Sequence, residues 1–183
     1  MNFADSPVLS PRMVLRERRC QCMEGAMLAA AALRLQGRPP LVLDLTSEDG
    51  DDDHVLALVR ERGCWGAISK TNHAVLRYRE PIYRTIRELA LSCFHEYFLN
   101  RNGRKTLRSY SRPINLARFD SRGWMTDEED VSYIPDYLYT VPHTPLLRPW
   151  QINRLRPADP IERQAGRMVE WQRDARKNRR DGQ

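Results

Sequence analysis

Two residues have types and positions that could do chemistry, Cys22 and His54. A cysteine attacks carbon as the thiolate, and the start of a helix favours that anion through free N–H groups and the positive end of the macrodipole. The same N–H groups can later receive an oxyanion. Cys22 stands directly before the alanine- and leucine-rich run Met23–Leu35, with Arg18 and Arg19 upstream adding positive potential. Cys20 falls just outside that run, so Cys22 is the nucleophile candidate. His54 ends the acidic loop Glu48–Asp53 and opens the apolar run Val55–Val59. There an imidazole can take up a proton, and the carboxylates of Asp51–Asp53 either favour its charged form, bind a cation such as Ca²⁺, or, as the plainest account, form a solvated loop. Each residue also has a plainer reading, a packed thiol and a solvated loop histidine.

The elements that must position this pair follow from periodicity and breakers. Cys22 to about Gln36 reads as a mostly buried helix, stopped by Gly37 and barred from continuing by Pro39 and Pro40. Leu41–Leu45 and His54–Val59 read as strands, Arg60–Gly63 as a hairpin turn, and Cys64–Ser69 as the returning antiparallel strand. A second helix at about 80–98 is expected from Pro81 at its first turn and from Ile82, Ile86, Leu89, Cys93 and Tyr97 at spacings of three and four. Residues 1–12 read as an extended lead-in, 13–105 as the core and 106–160 as an irregular wrapping arm with a short strand at Tyr137–Val141. Residues 161–183 read as a basic polar tail, helical over Ile161–Asn178.

The run Cys22-Met23-Glu24-Gly25-Ala26, the helix ending at Gly37, the strand after Pro40, His54 heading the next strand, and the hairpin leading to Trp65 resemble the transglutaminase-like superfamily of papain-like cysteine proteins, as a divergent bacterial-type member. The resemblance covers roughly residues 14–72. It implies Cys22 as nucleophile, His54 as base, and an acidic residue on the tryptophan strand that orients the histidine. The position where the family carries its aspartate is Ser69 in this chain. Asn72, three residues on, could orient the histidine in the manner of papain-like enzymes, and Asp44 on the preceding strand is a further candidate.

Composition bounds the rest. The chain has 183 residues, 41% hydrophobic and 30% charged, enough for a single core without staples. No apolar stretch is long enough to span a bilayer, and the first residues lack a secretory signal, so a cytoplasmic location is expected. Cys20, Cys22, Cys64 and Cys93 are then expected as free thiols. No CxxC spacing calls for zinc, and no cofactor is expected. The net charge of +6 comes without a nucleic-acid recognition motif, so nucleic acid is an unlikely partner and a peptide, protein or small amide is the expected substrate. The fold is expected to be α+β, a central helix packed on a small antiparallel sheet with an irregular C-terminal arm. The function expected is cysteine-dependent acyl transfer or amide hydrolysis. The alternative is a catalytically inactive module that offers a basic surface to an acidic partner.

Overall fold

A computed structural model describes residues 7–170. Its first helix, α1 (Pro11–Glu17), begins where Ser10 accepts a hydrogen bond from the Met13 amide and Pro11 occupies the first turn. The expected extended lead-in is therefore helical from Pro11 onward, because a Ser–Pro step is also a helix start. What precedes residue 7 lies outside the described residues, as does the expected tail helix beyond residue 170. Within them the tail forms α6 (Pro160–Gly166) and a single bridge from Val169 to His73.

The central helix α2 (Cys22–Leu35) has the expected bounds. It ends in a Schellman motif: the Gly37 amide donates to Arg34 and the Arg38 amide to Leu33, with Gly37 at φ 78°. Ala26, Met27 and Ala30 are fully buried, and the alanines let the helix axis come close to the sheet. That sheet is antiparallel, with β1 (Leu41–Ser47), β2 (His54–Glu61), β3 (Cys64–Ser69) and β4 (Arg79–Tyr83) in sequence. After α3 (Ile86–Cys93) come β5 (Leu107–Ser111), β6 (Ile114–Asn115), α4 (Tyr133–Thr140), β7 (His143–Pro145) and α5 (Pro149–Ile152). The strand order is β4-β3-β2-β1-β5-β7, with β6 also pairing β1. The protein is an α+β fold.

Three expectations are corrected here. Pro81 lies in the edge strand β4 and not in a helix, and α3 starts later, where Thr85 caps the Glu88 amide. An edge strand tolerates the missing proline N–H. The segment after residue 105 is no mere wrapping arm, since β5 and β7 extend the sheet beyond β1. The expected strand at Tyr137–Val141 is the C-terminal half of α4 and the residue that caps it.

Strand alternation divides the core into two faces. Val42, Val55 and Ala57 join Met23, Ala26 and Ala30 on the α2 face. Leu43, Leu45, Leu56, Leu58 and Ala67 join Leu89, Ala90 and Phe94 on the α3 face. A leucine buried as fully as Leu43 or Leu45 stabilises by roughly 1.5–3 kcal/mol.

Candidate active site

Cys22 opens α2, as its place in the sequence requires, and is partly buried. Glu24 fixes that opening. Its carboxylate is 5% exposed and accepts from the Gln21 amide at 2.6 Å and from the Leu9 amide at 3.0 Å. The first bond ties the turn that presents Cys22, and the second ties the segment leading into α1.

The sulfur of Cys22 lies against the head of β2. It approaches the Asp53 carbonyl at 4.0 Å, and the Val55 amide is close enough to favour its anion. These two groups flank His54. Burial nonetheless holds the thiol above its ordinary 9.0, against the Val55 and Met23 amides, and the carboxylates of Asp52 and Asp44 push the same way. The helix N-terminus is therefore outweighed, and Cys22 rests as the thiol. Upstream, Arg19 is held by Glu17 at 2.6 Å.

His54 is buried, and its Nε2 lies 2.8 Å from Ser69 Oγ. The Ser69 hydroxyl donates its only proton to the Leu76 carbonyl, so it accepts from His54 Nε2–H. That assignment leaves the lone pair on Nδ1, the ring nitrogen nearer the backbone that Cys22 touches. Leu76 is itself clamped: its amide donates to Glu96 at 2.6 Å, and Arg79 donates to the same oxygen at 2.6 Å. Leu76 has φ 57°, a conformation that costs a non-glycine residue on the order of 1 kcal/mol and persists here because both its backbone groups are held.

His54 pairs in register with Leu45, and Ser69 with Leu56, so the imidazole–hydroxyl pair is on the α3 face. Among the described residues no hydrogen bond joins Cys22 Sγ to a His54 ring nitrogen. The sulfur meets the backbone of β2 while the ring lies to the α3 side.

Burial holds the His54 pKa down to about 4, with Lys70 adding in the same direction. The expected rise from the acidic loop is thus corrected, because those carboxylates are turned to other partners. Asp53 accepts from the Ser47 amide at 2.7 Å, and Asp51 accepts from the Thr106 hydroxyl. The sign of the linkage follows. A histidine depressed on folding binds fewer protons than in the unfolded chain, so its contribution is full above 6.5 and lost as pH falls toward 4. Between pH 7 and pH 5 that amounts to about 2 kcal/mol for this one group. Asp44, raised by burial, acts with the opposite sign, gaining stability as pH falls through its folded pKa. Chemical denaturation at the two pH values should show this loss, and His54→Gln should show much less of it. An equal loss in the variant would assign the acid sensitivity elsewhere.

Two other candidates are not brought to His54. Asn72 is exposed, with its side-chain oxygen on Lys70 at 2.5 Å and its carbonyl accepting from the Glu170 amide. It cannot orient the imidazole. Asp44 pairs in register with Val55 and so faces α2, opposite to His54. Its partner is His143, Nε2 to Oδ2 at 3.0 Å, reaching across β5 at the small residue Ser111. His143 and this imidazole–carboxylate pair are missed by reading the sequence, since no periodicity links residues 99 apart. Tyr97 is a second omission: its hydroxyl donates to the Asp52 carbonyl and steadies the loop leading to His54. Burial raises its pKa. His73, the histidine that follows β3, is tied through Nδ1 to the Gly166 carbonyl at 2.8 Å.

All four cysteines are free. Among the described residues no group of three His, Cys, Asp or Glu side chains could hold a metal ion, and no helix is long and apolar enough to cross a membrane. No protein-family model matches the chain, and no curated protein matches it.

Proposed function

We propose that the chain is a transglutaminase-like cysteine enzyme that performs acyl transfer or amide hydrolysis through a Cys–His pair. The observation that carries this reading is the lodging of Cys22 Sγ between the Asp53 carbonyl and the Val55 amide, on either side of a histidine whose Nε2 is committed to Ser69. Ser69 takes the orienting position and fixes the tautomer, though a hydroxyl cannot stabilise imidazolium as a carboxylate would. In the reaction the Cys22 thiol gives its proton to His54 Nδ1 as sulfur adds to the acyl carbon. The tetrahedral intermediate collapses to a thioester, and the same proton leaves with the amine. Water or a second amine then adds to the thioester, returning a proton to the sulfur. The Met23 amide, which favours the thiolate in the free chain, would then receive the oxyanion. No contact joins Nδ1 to the sulfur while the ring is held on the α3 face, so this transfer requires a rearrangement at the head of β2, where His54 stands.

Incubation with p-nitrophenyl acetate tests this. Peptide mass spectrometry should find one acetyl group on Cys22 and none in Cys22→Ser. Acetylation spread equally over Cys22 and Cys64 would contradict the proposal.

One observation favours a second reading, a non-catalytic module of the same fold. A thiol held above 9.0 and an imidazole near 4 exchange a proton at a cost of about 1.4 kcal/mol per unit of mismatch. Under that reading the folded chain is not acylated at Cys22, and its basic surface holds an acidic partner.

A further inference from the structure

Away from Cys22, a cavity of about 320 Å³ lies between the segment carrying Asn102, Arg104, Lys105 and Arg108 and the segment carrying Ile152 and Leu155. Its size is that of a small-ligand site. Its chemistry is lopsided. Three cationic residues line it, and the carboxylate that meets two of them is Glu48, which contacts Arg104 Nε at 2.5 Å and Arg108 through a second ion pair. One negative charge against three leaves an excess of two positive charges.

The third cation is the telling one. Lys105 is only 8% exposed, yet among the described residues its ammonium forms no ion pair with a carboxylate. Its contacts are the His95 carbonyl at 3.5 Å, the outer limit of a hydrogen bond, and the Phe98 ring with its centroid 5.9 Å away. An ammonium carries three donors, and burying one so poorly satisfied is costly unless an acceptor arrives. Ile152, Leu155 and Pro157 supply an apolar wall to the same cavity, and the Asn153 carboxamide adds a neutral polar group.

We propose that this cavity binds a small phosphate monoester, its dianion held by Lys105 with Arg104 and Arg108 and its organic part against Ile152, Leu155 and Pro157. Two excess positive charges match a dianion better than a carboxylate. The guanidinium forks of Arg104 and Arg108 suit a tetrahedral oxyanion. The apolar wall distinguishes a monoester from free phosphate. The site is independent of Cys22.

Calorimetric titration of the full chain with phenyl phosphate and, separately, with inorganic phosphate tests the proposal. Phenyl phosphate should saturate one site with a Kd of about 1 mM or below, and inorganic phosphate should bind about ten-fold more weakly. Lys105→Met keeps the aliphatic stem, removes the ammonium and should weaken phenyl phosphate about ten-fold, with the unliganded melting temperature showing that the variant is folded. Should that variant not fold, Arg104→Gln, at an exposed position, should weaken binding in the same direction. No saturable binding at about 10 mM, or binding unchanged in the variants, overturns the site. Equal affinity for the two ligands overturns the monoester assignment.

Discussion

Glu24→Ala is expected to lower the unfolding free energy by about 4 kcal/mol, the largest single-residue loss outside the apolar core. The carboxylate is buried and accepts from two backbone amides, those of Leu9 and Gln21. Hydrogen bonds to a charged group contribute roughly 1.5–3 kcal/mol each, and alanine also leaves the Leu9 amide buried without an acceptor. For a chain of this size the melting temperature should fall by about 10 °C. Glu24→Gln keeps one acceptor oxygen but turns an NH₂ group toward the second amide, so about half the loss should remain. The loss is also local: the Gln21 amide belongs to the turn that presents Cys22. Thermal melts of the two variants check the ranking, and a Glu24→Ala protein as stable as the parent would remove the anchoring role.

Gly66→Ala should cost about 3 kcal/mol for a steric reason. A Cβ on Gly66 would lie 2.6 Å from the Arg79 carbonyl oxygen and 2.7 Å from the Pro81 nitrogen. Both are backbone atoms, so no side-chain rotation relieves the contact. β4 must move instead, at the point where the β3–β4 register already shifts between Trp65 and Ala67. Arg79 resists that movement through Glu96, which also holds Leu76, so the strain passes toward the Ser69–His54 pair. Limited trypsin digestion should cut faster at Arg77, Arg79 and Arg84 in the variant. Unchanged cleavage with an unchanged melt would mean that β4 accommodates the methyl freely.

The part of the molecule legible in the sequence is the part built by local rules. α2 and β3 have the expected bounds because alanine propensity, Gly37 and the alternation around the Arg62–Gly63 turn act over a few residues. The pairing of His54 with Ser69 was also accessible, since register along a hairpin is fixed by its turn. Pro81 illustrates the opposite case. A proline before a periodic apolar run signals both a helix start and an edge strand, and the contact of β4 with Gly66 decided between them. The joining of Asp44 to His143, and the insertion of β5 beside β1, depend on long-range pairing that carries no local signature. The pKa values follow the same divide. Helix position argues for a lowered Cys22, but burial, which a sequence does not display, raises it.

The central claim is that Cys22 is a nucleophile served by His54. Substoichiometric iodoacetamide at neutral pH, with the modified cysteine identified by peptide mapping, tests it most directly. Cys64, partly exposed, is the internal reference, and His54→Gln removes the base. The account predicts that Cys22 is alkylated about ten-fold faster than Cys64 and that this preference disappears in His54→Gln. Alkylation of Cys22 no faster than that of Cys64, or a preference that survives the loss of His54, would contradict it.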